Sequence, residues 1–463
     1  MLSLKEINEV VDKNYKSKYD KTTSFIDNKI ISKIFIKDKS SLVCVKAIRF
    51  IIGAYLELKE PCRLDIPDDI GYSLDEESFR EALENIYINF AEDNKTKNVL
   101  YPYCIFASNN QINKLYKNAK NIASKRFKYA SFIMEAIFLS SKNIGFYLIY
   151  EASKKFKQVS VRNKCRDMFY SISHKMNMTE EEFADIIMPN FGFDREGIRI
   201  VKTDDRIFRI ILKDNFSIDI FDESKNKAFK TLPKDFPVDI KTELTTLKTE
   251  AKKLIKMQTE RLIYVCMNGR KWQFNNWRDL FLYNPFMKIF AVNLVWGIYD
   301  KKDTLLNSFR YMEDGTFNDI NDEEIFIKDD DIIGLLSPIE VKKSIIEKWQ
   351  KQILDYEIEQ PFNQLSRKTK TALIKEIPKL VTVGTVRNIA NRFSMIRDDV
   401  NGIVTRGYVF YDDYNDASIY IKLSNVYYAS NNNDETEIEI KFNEYADERF
   451  KYGFYLILSS LLK

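Results

Sequence analysis

Residues 197–221 read GIRIVKTDDRIFRIILKDNFSIDIF. Apolar side chains fall on alternate positions: Ile198 and Ile200, then Phe208, Ile210 and Leu212, then Phe216, Ile218 and Ile220. A period of two puts them on one face of a strand. The Asp-rich interruptions supply the turns. The stretch predicts a small antiparallel meander, and it marks where a helical chain becomes a mixed one.

Upstream, the period is helical. In "SLVCVKAIRFIIGAYLEL" the apolar positions 42, 45, 48, 51, 52, 55 and 56 form one stripe. "DEESFREALENIYINFAED" opens on Asp75 with acids in its first turn and aligns Phe79, Leu83, Ile86 and Phe90. Further helices are predicted near 110–125, 127–139, 143–157 and 161–175. "MTEEEFADIIMP" sets Thr179 and Glu182 as a capping box, with Pro189 past the helix end. Short consecutive helices need one another's apolar faces, so a HEAT- or armadillo-like array is expected over 1–190.

Downstream, 191–463 is expected to be a mixed module, with a division near 370–380. Helix returns over 238–268 and ends in Asn268-Gly269, a C-cap signal. Asn284-Pro285 starts a short helix. "LVWGIYD", "LLNSFRYM" and "EEIFIKDD" are predicted strands, with a turn at Glu313-Asp314-Gly315. Ser337, Pro338 and Glu340 begin another helix. A helix near 383–397, strands near 407–411, 417–428 and 435–442, and a helix over 447–462 complete an α+β chain.

The 463 residues suffice for two to four domains of roughly 100–200 residues. With 45% hydrophobic and 30% charged residues the composition is that of a globular protein, and 13 Gly and 10 Pro leave little for linkers. The N-terminal stretch does not read as a signal peptide, and no window reaches the eighteen apolar residues of a membrane span. Five scattered cysteines without a CxxC pair fit a reducing, cytoplasmic compartment.

The net charge of +4 is unevenly spread. Residues 101–175 hold 14 Lys or Arg against Glu135, Glu151 and Asp167, a local net of +11. Lys114, Lys117, Lys120, Lys125 and Lys128 recur at helical spacing among Tyr116, Phe127 and Tyr129. The block reads first as a solvated helix face and second as a surface for nucleic acid or another acidic partner.

Catalytic signatures are missing. GxxxxGK[ST] and a strand-borne GxGxxG are absent, and the single histidine, His174, excludes HExxH. His174 sits in "SISHKMNM", where it reads as a helix-end charge. Asp329, Asp330 and Asp331 read as a solvated turn, since neighbouring side chains point apart. No cofactor or metal site is expected.

All four tryptophans lie between 272 and 349. There "GRKWQFNNWRDLFLYNPFMKIFAVNLVWGIYD", "SFRYMEDGTFNDINDEEI", "GLLSPIEV" and "DYEIEQPFNQLSR" resemble the bacterial domain of unknown function 4132 family. The family includes proteins labelled molybdate metabolism regulator. "FADIIMPNFGFDREG", "KTLPK" and "QTERLIYVCMNGRKW" extend the likeness, which spans about 120–463. The family often carries a longer helical N-terminal region or a WGR domain, for which this chain has little room.

The resemblance implies regulation, protein partners of the MoxR-type ATPase kind, and no known reaction. It marks Trp272, Trp296, Gly297, Gly315, Pro361 and Phe362 as pattern positions that suit a structural junction. Arg261, Arg270, Arg310, Asp314, Gln360 and Arg367 are its polar members. Two readings stand for them: buried Arg–carboxylate pairs that fix the junction, or guanidiniums converging on a phosphate or carboxylate. The leading expectation is a regulatory or adaptor protein. The second is an enzyme or sensor for a phosphorylated or nucleotide-like ligand, and the third is nucleic-acid binding through 101–175.

Overall fold

A computed structural model describes residues 1–140, 142–203, 206–229, 238–366, 368–393, 395–401, 404–412, 414–427 and 430–462. The chain separates into two compact units, 1–189 and 190–463.

The first unit is helical, with its longer helices at Val45–Leu56, Glu76–Phe90, Asn109–Ile122, Phe127–Phe138, Asn143–Lys155 and Val159–Lys175. Local chemistry starts several of them. Asp75 accepts the Ser78 N–H at 2.9 Å, and Thr179 and Glu182 close their capping box. Helix Phe127–Phe138 packs against the helices on both sides of it, with Ile133, Met134 and Ile137 sealed from solvent. Leu42, which the periodicity placed on the helical stripe, lies before the helix and is 52% exposed. It pairs instead with Phe35 in an isolated bridge.

Among the described residues, the second unit holds three antiparallel sheets. The meander is β1 (Ile198–Lys202), β2 (Ile207–Leu212), β3 (Ile218–Asp222) and β4 (Lys227–Phe229), paired in sequence order. Phe208, Ile210 and Ile220 are its buried row, and a hairpin of this kind needs that one covered face to fix its register.

The second sheet contains β5 (Lys271–Gln273), β6 (Trp296–Tyr299), β7 (Leu305–Tyr311), β8 (Phe317–Asp319) and β9 (Ile332–Leu335), in the order β5-β9-β6-β7-β8. The third contains β10 (Leu380–Thr382), β11 (Ile396–Val400), β12 (Val404–Asp412), β13 (Ala417–Tyr427) and β14 (Glu435–Phe442), in the order β10-β14-β13-β12-β11. Its inner face packs on helices Val238–Asn268, Val383–Arg392 and Glu448–Leu461 through Met267, Val386, Ile419, Phe450 and Phe454.

Other sequence expectations fail locally: the helix expected near 383–397 ends at Arg392, and Ile396–Val400 is strand β11. "EEIFIKDD" is not a strand, apart from an isolated bridge of Glu324 to Asn318. Asp319 Oδ1 takes the N–H groups of Asn321 and Glu323, and Phe326 is 87% exposed, so side-chain bonding replaces the ladder and the alternation buries little. The capping box of Ser337 and Glu340 caps a single 3-10 turn, Pro338–Glu340, and the helix begins later, at Lys343.

Candidate functional site

The tryptophan sheet is read through its register. Trp296 stands opposite Phe309 on one side and Leu335 on the other, and Gly297 opposite Ser308 and Gly334. Alternation sends these two rows to opposite faces. On the first face Trp296 meets Trp277 at 5.1 Å, Phe281 at 4.7 Å and Trp272 at 6.3 Å between ring centroids. Its indole N–H donates to the Ala291 carbonyl at 2.9 Å. Asn284 caps the helix Pro285–Asn293 that leads into β6, accepting from the Phe286 N–H at 3.1 Å. This face is a packed aromatic core.

The other face is covered by helix Lys343–Asp355. Trp349 is fully buried there and donates to Ser308 Oγ at 3.0 Å. Gly297 leaves room for the Tyr299 ring; a Cβ on it would stand 2.7 Å from both Tyr299 Cε2 and Leu305 Cδ1. Lys271 Nζ lies 4.2 Å from the centroid of the same ring.

Tyr299 leads to a polar junction. Its hydroxyl donates to Glu340 Oε2 at 2.9 Å, and Glu340 Oε1 pairs with Arg449 from the terminal helix. Arg449 also donates to the carbonyls of Cys266 at 3.1 Å and Leu335 at 2.8 Å. Burial pulls the Arg449 pKa down, but Glu340 and Tyr299 hold it above its ordinary value. Burial and Glu340 raise the Tyr299 hydroxyl far above its usual range. Beside the junction, Ile263, Cys266, Pro338, Phe362, Tyr452 and Ile457 line a small apolar cleft. Burial pushes the Cys266 thiol up to about 11, which keeps it a thiol rather than a nucleophilic thiolate.

Among the described polar pattern residues, Arg270 and Arg310 do not gather at one point. Arg261 is buried on helix Val238–Asn268, with Gln258 Oε1 at 3.4 Å. Arg270 lies over the Trp272 ring at 4.9 Å, on the aromatic face. Arg310 sits two residues beyond Ser308 on β7, on the opposite face, and lies 4.9 Å from the Tyr356 ring centroid. A sheet thus separates two of the guanidiniums, so the expectation of one shared arginine pocket does not hold for them.

Asp314 is exposed and caps its turn through Thr316, where Gly315 has φ +94°. Gln360 donates to the Asn293 carbonyl at 3.4 Å and to Gln364 at 3.3 Å. Pro361 and Phe362 are half-buried. Arg367 lies outside the described residues, as does the "KTLPK" stretch.

Three contributors escaped the sequence reading. Gln364 is fully buried and its side chain holds both the N–H and the carbonyl of Val295, at 2.9 and 2.6 Å. It stood inside the quoted "QPFNQ". Tyr356 stood in "DYEIEQ" without an evident task. Arg449 had no signal, because "DERFKYGF" reads as a charged helix start.

In the helical unit Lys114, Lys120, Lys125 and Lys128 are exposed and Lys117 is half-buried. Lys120 pairs with Glu151 at 2.9 Å, and Lys164 with Glu135 at 2.7 Å. His174 is exposed at its helix end, 6.0 Å from the Tyr170 ring. Among the described residues no group of three or more His, Cys, Asp or Glu is arranged to hold a metal ion. No described helix is long and apolar enough to cross a membrane.

The model of the family DUF4132, a domain of unknown function, matches residues 227–378. That range holds the whole tryptophan sheet and stops short of Arg449 and the basic helices; it is narrower than the 120–463 suggested by the sequence motifs. A curated relative, the uncharacterized protein YehI of Escherichia coli (strain K12), is 26% identical over 240 residues. The aligned stretch is 50% of this chain and 20% of that protein, so the chain spans about a fifth of the length of its relative. No solved structure matches. Over the segment that builds the tryptophan sheet, this chain is therefore similar to the DUF4132 family, whose description assigns no function.

Proposed function

We propose that the chain is a regulatory or adaptor protein whose helical unit binds an acidic macromolecular partner, a protein in the first instance. The observation that supports this reading is the pairing pattern of the basic block. Two of its three acids, Glu135 and Glu151, are consumed by Lys164 and Lys120. Lys114, Lys125 and Lys128 remain exposed, and none forms an ion pair among the described residues. A surface of excess cations attracts acidic partners at long range and loses them as salt screens it.

The regulator label and the MoxR-type ATPase class belong to this proposal through the family resemblance alone. The test compares the full chain with its K114E/K125E/K128E variant, each recovered from cells with and without nuclease treatment, at low and at physiological salt. The expected result is a defined protein partner that the triple variant loses and that salt weakens. An identical recovery by both proteins overturns the reading. Loss of the partner on nuclease treatment alone replaces it with nucleic-acid binding.

A further inference from the structure

Arg310 and Arg449 are both buried guanidiniums of the second unit, and their surroundings differ. Arg449 is met by a carboxylate and two carbonyls. Arg310 is 3% exposed, yet its Nε and Nη1 have no hydrogen-bond partner among the described residues. Asp322 and Glu313 act on its charge from nearby without forming an ion pair with it, and burial leaves its pKa below the ordinary value. A buried guanidinium with unused N–H groups is costly, and a fold that retains one forgoes stability that an apolar side chain would supply.

An aromatic ring lies over this charge. Tyr356 lies 4.9 Å from the guanidinium and is itself 47% exposed, so one neighbour of the buried Arg310 reaches the surface. Tyr356 is the C-cap of helix Lys343–Asp355, and the chain leaves the helix at the next residue, Glu357. Its hydroxyl is tied to the exposed Asp322 carboxylate, in the turn after β8. That bond is between exposed groups, and water can replace it at little cost. Tyr356 is at the helix end, so its side chain can rotate away from the guanidinium without unwinding the helix.

The rest of the site is tied together by strand pairing and hydrogen bonds. Arg310 projects from β7 opposite Asn318 of β8. Gln352 fixes the following turn by donating to the carbonyls of Asp319 and Ile320 at 3.3 and 3.1 Å. Trp349, bonded to Ser308, holds the covering helix in place. A fixed guanidinium under a movable aromatic ring suits an anion that presents two oxygens.

We infer that Arg310 is an oxyanion receptor, gated by Tyr356, that takes a carboxylate or phosphate group through its Nε and Nη1. The site lies in the 190–463 unit and is independent of the basic helices, so either proposal can fail alone. The full chain is titrated with inorganic phosphate and, separately, with acetate, against chloride at equal ionic strength. Thermal midpoint and tryptophan emission are followed.

The wild-type protein is expected to show a saturable rise in midpoint, and the anion that saturates at lower concentration identifies the group as phosphoryl or carboxyl. Arg310→Met should abolish the response while matching or exceeding the wild-type midpoint in chloride. Arg310→Lys, which keeps the charge and loses the fork, should raise half-saturation roughly tenfold. Tyr356→Ala should lower it. A wild-type midpoint that follows ionic strength alone overturns the proposal, as does an equal anion response in Arg310→Met. If Arg310→Met does not fold, an unshifted half-saturation in Arg310→Lys overturns it equally.

Discussion

Glu340 and Arg449 form an ion pair across 109 positions of sequence, and it is the polar centre of the second unit. One oxygen of Glu340 takes the guanidinium and the other takes the Tyr299 hydroxyl. Glu340→Ala would strand Arg449 between the Leu335 and Cys266 carbonyls with its charge unpaired. The expected loss is about 3–5 kcal/mol, the range for breaking a buried pair from one side. Replacing both residues with apolar ones should cost clearly less than the sum of the single changes. All four tryptophans lie in this unit, so denaturant unfolding followed by tryptophan emission reports it. Additive single-variant losses would show that the pair is not coupled.

Ser308 and Trp349 make a second test of the covering helix. Deleting the Ser308 hydroxyl leaves a buried indole N–H without its acceptor, for which about 1–3 kcal/mol is expected. Trp349→Phe removes the donor as well as part of the ring, so in the Ser308→Ala background it should cost less than in the wild type. The four unfolding midpoints give the coupling directly, and a coupling near zero would mean that the bond contributes no stability.

Legibility in the sequence followed the range of the interactions. Caps at Asp75 and Thr179 and the meander β1–β3 depend on residues a few positions apart and are present, although Ile200 is exposed and Phe216 falls in the turn before β3. The three-residue strands β4, β5, β8 and β10 are too short for a period to declare itself. Arg270 and Arg310 looked alike as polar pattern residues; their opposite faces follow from strand pairing, which no local pattern encodes. The same holds for Arg449, whose partner lies in another element. Tryptophan clustering was readable as a junction, but not that Trp349 would stand apart from the other three, across the sheet.

Gly297 offers a packing test. An alanine there would place its Cβ 2.7 Å from the Tyr299 ring and from Leu305 Cδ1, closer than side-chain carbons approach. Tyr299 can yield only by disturbing its bond to Glu340 and its contact with Lys271. Gly297→Ala is expected to destabilise the unit by about 1–3 kcal/mol, as overpacking does. Adding Tyr299→Leu, which clears the space, should recover part of that loss. A wild-type midpoint for Gly297→Ala would show that the ring shifts freely.

Asp314 gives a pH dependence with a definite sign. Its Oδ1 accepts the Thr316 N–H at 3.0 Å and the Thr316 hydroxyl at 2.7 Å, and these bonds hold the carboxyl below its usual range. A group whose folded pKa is depressed contributes its stability above the unfolded value, about 4 for Asp, and loses it as pH falls through the folded one. The turn between β7 and β8 should therefore weaken below about pH 4. In Asp314→Asn the amide oxygen still accepts both bonds and does not titrate. Thermal midpoints measured down through this range should fall more steeply for the wild type than for the variant. Parallel curves would mean that the Asp314 charge adds nothing to the turn, and that its hydrogen bonds to Thr316 are as well made by a neutral acceptor.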